Sequence, residues 1–188
     1  MGCVVKIVLF LIPAFFFTAA TLVALAAFLA VTGSPSTCSE RAISPAPALA
    51  QQLDQRWDLF SLAILDGSSS IDISEVEATA RAREYLEAED VPVEDVRVYF
   101  CGVGKGQLAG QIAALGIDVD FVLTGHLDLS GPRPVIALDA IDVGNMPGFV
   151  SDAALDLLLD DGARTLELDE NLIGSEIADG RIIITGEP

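Results

Sequence analysis

Residues 7–32 are almost wholly apolar, with Phe10, Phe15, Phe16, Phe17 and Phe28 among Leu, Val and Ala, and no charge falls between Ile7 and Ser39. A helix over them would be roughly 39 Å long. A bilayer core is about 30 Å thick, so this stretch can span one with some tilt. Pro13 is placed to kink it near its inner end. Lys6 and the amino terminus are the only positive charges ahead of it, which favours a cytoplasmic N-terminus and an extracytoplasmic C-terminal part. The competing reading is a cleaved signal peptide. Ala24-Leu25-Ala26 resembles a cleavage site, but such peptides normally carry an apolar run of only about 7–15 residues. The expected order is a transmembrane anchor at 1–32, a Gly/Ser/Pro-rich tether at 33–47, and a domain at 48–188 with its core in 71–187.

Beyond the tether the apolar spacing turns helical. Leu49, Leu53, Trp57, Phe60 and Ile64 fall near one face of a helix over 48–65, which Asp66-Gly67 and three serines end. A short strand at 71–73 precedes Ser74-Glu75-Val76-Glu77, a capping box that starts a helix over 75–89. Ala78, Ala82, Tyr85 and Leu86 give that helix an apolar face, and Pro92 stops it.

The period then becomes two. Val96, Val98 and Phe100 alternate with Arg97, Tyr99 and Cys101, a glycine-rich turn follows at 102–106, and 108–115 returns. In 117–129, Ile117, Val119, Phe121, Leu123, Leu127 and Leu129 share one side. Asp118, Asp120, Val122, Thr124, His126 and Asp128 share the other, and Gly125 marks a bulge or bend. Strand 135–143 pairs back, a third helix is expected at 149–161, and Asp179-Gly180 turns a final hairpin between 172–178 and 181–186. This is an α+β pattern: an antiparallel sheet with one wet face, packed against two or three helices.

Charge narrows the partners. Of 188 residues, 28 are acidic and 10 basic, for a formal net charge of −18, and Lys6 is the only charged side chain among the first 39. So acidic a domain repels phosphate backbones, which argues against nucleic acid. Cys3 falls on the cytoplasmic side, leaving Cys38 and Cys101 as a candidate disulfide in an oxidising compartment. No Cys/His spacing suggests a metal site. The acidic pairs Asp118/Asp120, Asp139/Asp142 and Asp160/Asp161 do not follow a calcium-loop pattern. His126 is the only histidine, no nucleophile-elbow motif accompanies it, and Gly102-Val103-Gly104-Lys105-Gly106 lacks phosphate-loop spacing. Neither catalytic residues nor a cofactor are expected.

Several stretches resemble the small membrane-anchored bacterial proteins, the LmeA-like and YpmS-like groups, that are themselves similar to half of a tubular lipid-binding domain. The resemblance rests on Ile71 to Glu77, Val91 to Val98, Thr124-Gly125-His126-Leu127-Asp128-Leu129 with Pro132 to Val135, Val143 to Pro147, and Asp179 to Gly186. The chain departs from the LmeA-like pattern in its spanning anchor and its acidity. The resemblance implies a curved antiparallel sheet wrapped against helices, with an apolar groove for acyl chains. On this chain the groove would use Ile117, Val119, Phe121, Leu123, Leu127 and Leu129, with Val96, Val98 and Phe100 beside them. The expectation is a single-pass cell-membrane protein whose outer domain holds a phospholipid or other apolar ligand without catalysis. The same row equally suits the dry core of a structural or protein-interaction module of the cell envelope.

Overall fold

Ser74 ends a strand and caps a helix at once. Its hydroxyl accepts from the Glu77 backbone N–H at 3.3 Å, and the Glu77 carboxylate accepts from the Ser74 N–H at 2.9 Å. Two orphan donors of the first turn are thereby satisfied. Around this cap the computed structural model describes Thr21, Leu25, Phe28, Leu29 and residues 32–188, except 103, 115–116, 132, 147–164, 169–170 and 179. Among these residues the chain is α+β, with two helices and two antiparallel sheets. No helix among them is long and apolar enough to cross a membrane. The expected anchor, apart from those four residues and Thr32, and the expected helix at 149–161 lie outside the described residues.

Helix α1 spans Ala48–Asp66 and buries Ala50, Leu53, Phe60 and Ile64, the spacing of one helical face. Strand β1 (Ser69–Ser74) leads into helix α2 (Glu75–Ala88). Strands β2 (Val93–Cys101), β3 (Lys105–Ala114), β4 (Ile117–Asp128), β5 (Val135–Val143) and β6 (Thr165–Glu167) make one five-stranded antiparallel meander in chain order. Strands β7 (Leu172–Ala178) and β8 (Arg181–Gly186) form the closing hairpin.

The hairpin does not extend the meander, as a single sheet would require. β8 pairs on its other side with β1, from Ser69 opposite Gly186 to Ser74 opposite Arg181, giving a separate three-stranded sheet in the order β1-β8-β7. Ile71 and Ile73 of β1 stand opposite Ile184 and Ile182. Together with Leu53, Phe60, Ile64 and Leu172, residues Ile71, Ile73 and Ile184 form the closed core between α1 and this sheet. Gly186 is required there, because a Cβ on it would lie 2.4 Å from Ile64 Cδ1. Gly125 answers its expected role: the β4–β5 register shifts between Thr124 and Gly125, and a Cβ would sit 2.6 Å from the Ala137 carbonyl oxygen.

Helix α2 lies along the outer edge of β2. The Glu75 carboxylate accepts from the Phe100 N–H at 2.8 Å, and the Thr79 hydroxyl accepts from the Val98 N–H at 2.9 Å. Arg83 Nε donates to the Val96 carbonyl at 2.8 Å. The match has a geometric cause. Four residues of helix rise about 6.0 Å, and two residues of strand rise about 6.6 Å. Positions 75, 79 and 83 therefore keep step with 100, 98 and 96. Edge-strand groups that would otherwise need water are paired with side chains, so Glu75 (4% exposed) and Thr79 (fully buried) tolerate burial.

Residues expected as a tether lie instead across the five-stranded sheet. Ser34 donates to the Asp120 carboxylate on β4, and just ahead of this segment the carbonyl of Leu29, a residue of the expected anchor, accepts from the Asn145 N–H at 2.9 Å. The Cys38 N–H donates to Gln107 Oε1 on β3 at 2.7 Å, and Cys38 is disulfide-bonded to Cys101 of β2. Arg41 then grips both oxygens of Glu75, at 2.9 and 2.6 Å. Because each contact falls on a successive strand, the segment acts as a strap across β4, β3 and β2 to α2.

Glu77 links the capping box to α1 through the Arg56 guanidinium, which also reaches the Asp72 carbonyl. Burial pushes the Glu77 carboxyl up, but the Ser74 hydroxyl, the Ser74 N–H and Arg56 outweigh it, and its pKa falls below the ordinary 4.5. A carboxyl with a depressed folded pKa contributes stability above its unfolded value and loses it as the pH falls through its folded value. Glu77→Gln is accordingly expected to be less stable than the parent at pH 7, with the gap narrowing as the pH drops below 4.5. Urea midpoints measured at a series of pH values check this. A gap that stays constant would remove Glu77 as the titrating group.

Candidate functional site

The two faces of the meander differ in chemistry. On one, the register sets Val98 beside Leu108, Leu108 beside Leu123 and Leu123 beside Ile141, an apolar rung across four strands. Phe121 stands between Gly110 and Val143, and its ring covers Gly110, whose absent Cβ would lie 3.1 Å from Phe121 Cε1. Val119 faces Ile112. Of the sequence-predicted row, Val96 and Phe121 are buried, whereas Val98, Phe100, Val119 and Leu123 are half-buried. Leu127 and Leu129 are half-buried too, but they pack against the closed core beneath α1. The Ile117 side chain lies outside the description.

Sequence reasoning missed Leu108, Ile112, Ile141 and Val143 as members of this face. Their signal was present as the alternation Leu108-Gly110-Ile112 and Ile141-Val143. The glycine in one run and the β4–β5 bulge before the other broke the visible period. Residues on β2 also sort differently from the expected alternation. Tyr99 and Cys101, which alternate with the apolar row, are buried as well, Cys101 in the disulfide to the strap.

The opposite face is polar and carries the strap. Gln107 Nε2 donates to the Thr124 hydroxyl at 3.2 Å, and Gln111 Nε2 donates to Asp120 Oδ1 at 2.7 Å. Between strap and sheet lies a cleft of about 250 Å³, roofed by Ser34, Pro35 and Thr37 and floored by residues of β2, β3 and β4. Farther along, Asp139 meets His126 Nδ1 at 2.9 Å and Lys105 Nζ at 3.2 Å. His126 is partly exposed, and among the described residues no hydroxyl or thiol is hydrogen-bonded to it. Asp128 accepts from the Ser130 hydroxyl and N–H, at 2.7 and 2.9 Å, and these bonds hold its carboxyl below the usual range. No group of three His, Cys, Asp or Glu side chains suited to a metal occurs among the described residues. The pairs Asp118/Asp120 and Asp139/Asp142 are thus not gathered into one there.

No known protein family matches the chain, and no curated protein or solved structure proves similar to it.

Proposed function

We propose that this protein is a membrane-anchored, extracytoplasmic, non-catalytic module that holds an apolar ligand, a phospholipid acyl chain being the best fit, on the apolar face of its five-stranded sheet. One observation supports this above the others. The core beneath α1 is closed, whereas the rung built on Val98 and Leu123 stays half-buried, leaving apolar surface for a ligand to cover. Withdrawing such surface from water stabilises a complex by roughly 25 cal/mol per Å². The uncharged stretch at 7–32 supplies the anchor in this reading, and the disulfide-bonded strap suits an oxidising compartment.

Native mass spectrometry of the full-length chain, released from detergent after incubation with phosphatidylglycerol and phosphatidylethanolamine, tests the proposal. Bound phospholipid at defined stoichiometry is expected, with occupancy reduced at least severalfold by Leu123→Lys. No adduct on the parent, or equal occupancy on the variant, would rule the face out.

A second reading is an interaction module of the envelope. It is favoured by Leu59, Leu62 and Leu65, which stand 62–73% exposed along the C-terminal half of α1. Its mark would be a lipid-free chain that self-associates, or holds a partner, and loses this on Leu62→Glu.

A further inference from the structure

We infer that the cleft beneath the strap is a second binding site, for one neutral, hydroxyl-bearing unit the size of a single sugar ring. It lies on the opposite face of the sheet from the apolar rung and does not depend on the lipid reading.

Two independent observations meet here. The first is the cleft, whose roughly 250 Å³ equals the share of about eight liquid waters. That is below the usual range for drug-sized ligands and suited to one small ring. The second is Tyr99, which lines the cleft and is only 3% exposed, yet its hydroxyl has no hydrogen-bond partner among the described residues. A buried phenol normally finds one, and a ligand held in the cleft that Tyr99 lines would supply it.

The charges define the ligand. Asp95 is engaged by Arg97 and, at 3.6 Å, by Arg83. Asp120 accepts from Ser34 and from Gln111. An incoming anion would meet the Asp120 carboxylate, which only neutral donors answer, and would have to draw Arg97 away from Asp95. A neutral polyol need not: its hydroxyls can donate to spare carboxylate lone pairs and to Gln111 Oε1, and accept from Arg97 and Tyr99. Because Ser34, Pro35 and Thr37 form the roof, and Cys38 ties that roof to β2, the disulfide keeps the site assembled.

Saturation-transfer difference NMR on the full-length chain in deuterated detergent tests this. The probes are methyl glucopyranoside, N-acetylglucosamine and myo-inositol, with glucuronate and glucosamine as charged counterparts. At least one neutral probe is expected to receive saturation. Tyr99→Phe should weaken it about fivefold, the loss of one typical hydrogen bond, and Gln111→Ala should weaken it similarly, while Trp57 fluorescence reports an intact fold. If Tyr99→Phe does not fold, Gln111→Ala carries the test alone. Transfer to no neutral probe, stronger transfer to a charged one, or binding unchanged in both variants would overturn the site. Lipid binding by native mass spectrometry reads the other face, so the two proposals fail separately.

Discussion

Replacing Glu75 with alanine is expected to destabilise the protein by about 3 kcal/mol. The carboxylate is 4% exposed and serves three elements at once: it begins α2, accepts the Phe100 N–H on the edge of β2, and receives both arms of Arg41 from the strap. Removing it orphans a backbone donor in a buried seam, which alone costs about 1–3 kcal/mol. Arg41 is half exposed and can turn to water, so its share is smaller than in a fully buried pair. Glu75→Gln keeps an acceptor for Phe100 and should recover about half the loss. Urea unfolding followed through Trp57, the single tryptophan, measures both. An alanine variant within 1 kcal/mol or so of the parent would show that the seam is not sealed as described.

Loss of the disulfide should be felt as strongly. Cys38 and Cys101 are separated by 63 residues. Closing a loop of that length removes chain entropy worth about 4 kcal/mol from the unfolded state. Against the 5–15 kcal/mol of an ordinary domain, that is a large share. The double variant Cys38→Ser, Cys101→Ser is expected to unfold at a correspondingly lower urea concentration, and a dithiol reductant should bring the parent to the same midpoint. Peptide mapping under non-reducing conditions gives an independent check, since Cys3 would remain a thiol. Identical midpoints with and without reductant would deny the bond a stabilising role.

What was legible in the sequence was local. The Ser74–Glu77 cap, the helix after it and the alternation in β4 each write their geometry into a few adjacent residues. The partner of β1 is not local: Ser69 pairs with Gly186, and nothing in either stretch names the other. The three-residue β6 is too short to show a period. The strap was read as a linker because its composition is that of one, while its order comes from Asp120, Gln107, Cys101 and Glu75, all distant in sequence. The same reason hid the cleft. Tyr99 was read only as alternating with the apolar row on β2, and its place beside Ser34, Pro35 and Thr37 depends on the distant strap. Candidate groove residues were easier, since burial on a sheet face follows alternation, but the division between the closed end at Leu127 and Leu129 and the half-covered rung at Leu123 depends on where α1 lies.

The seam along β2 also governs how copies of this protein can meet. A bare outer strand is a template on which a neighbouring molecule can add its own strand, and then another, until an insoluble fibril grows. Here the template is occupied from within by three side chains of one helix. The β2 margin of the five-stranded sheet is therefore poorly suited to seed polymerisation, even where many copies crowd together.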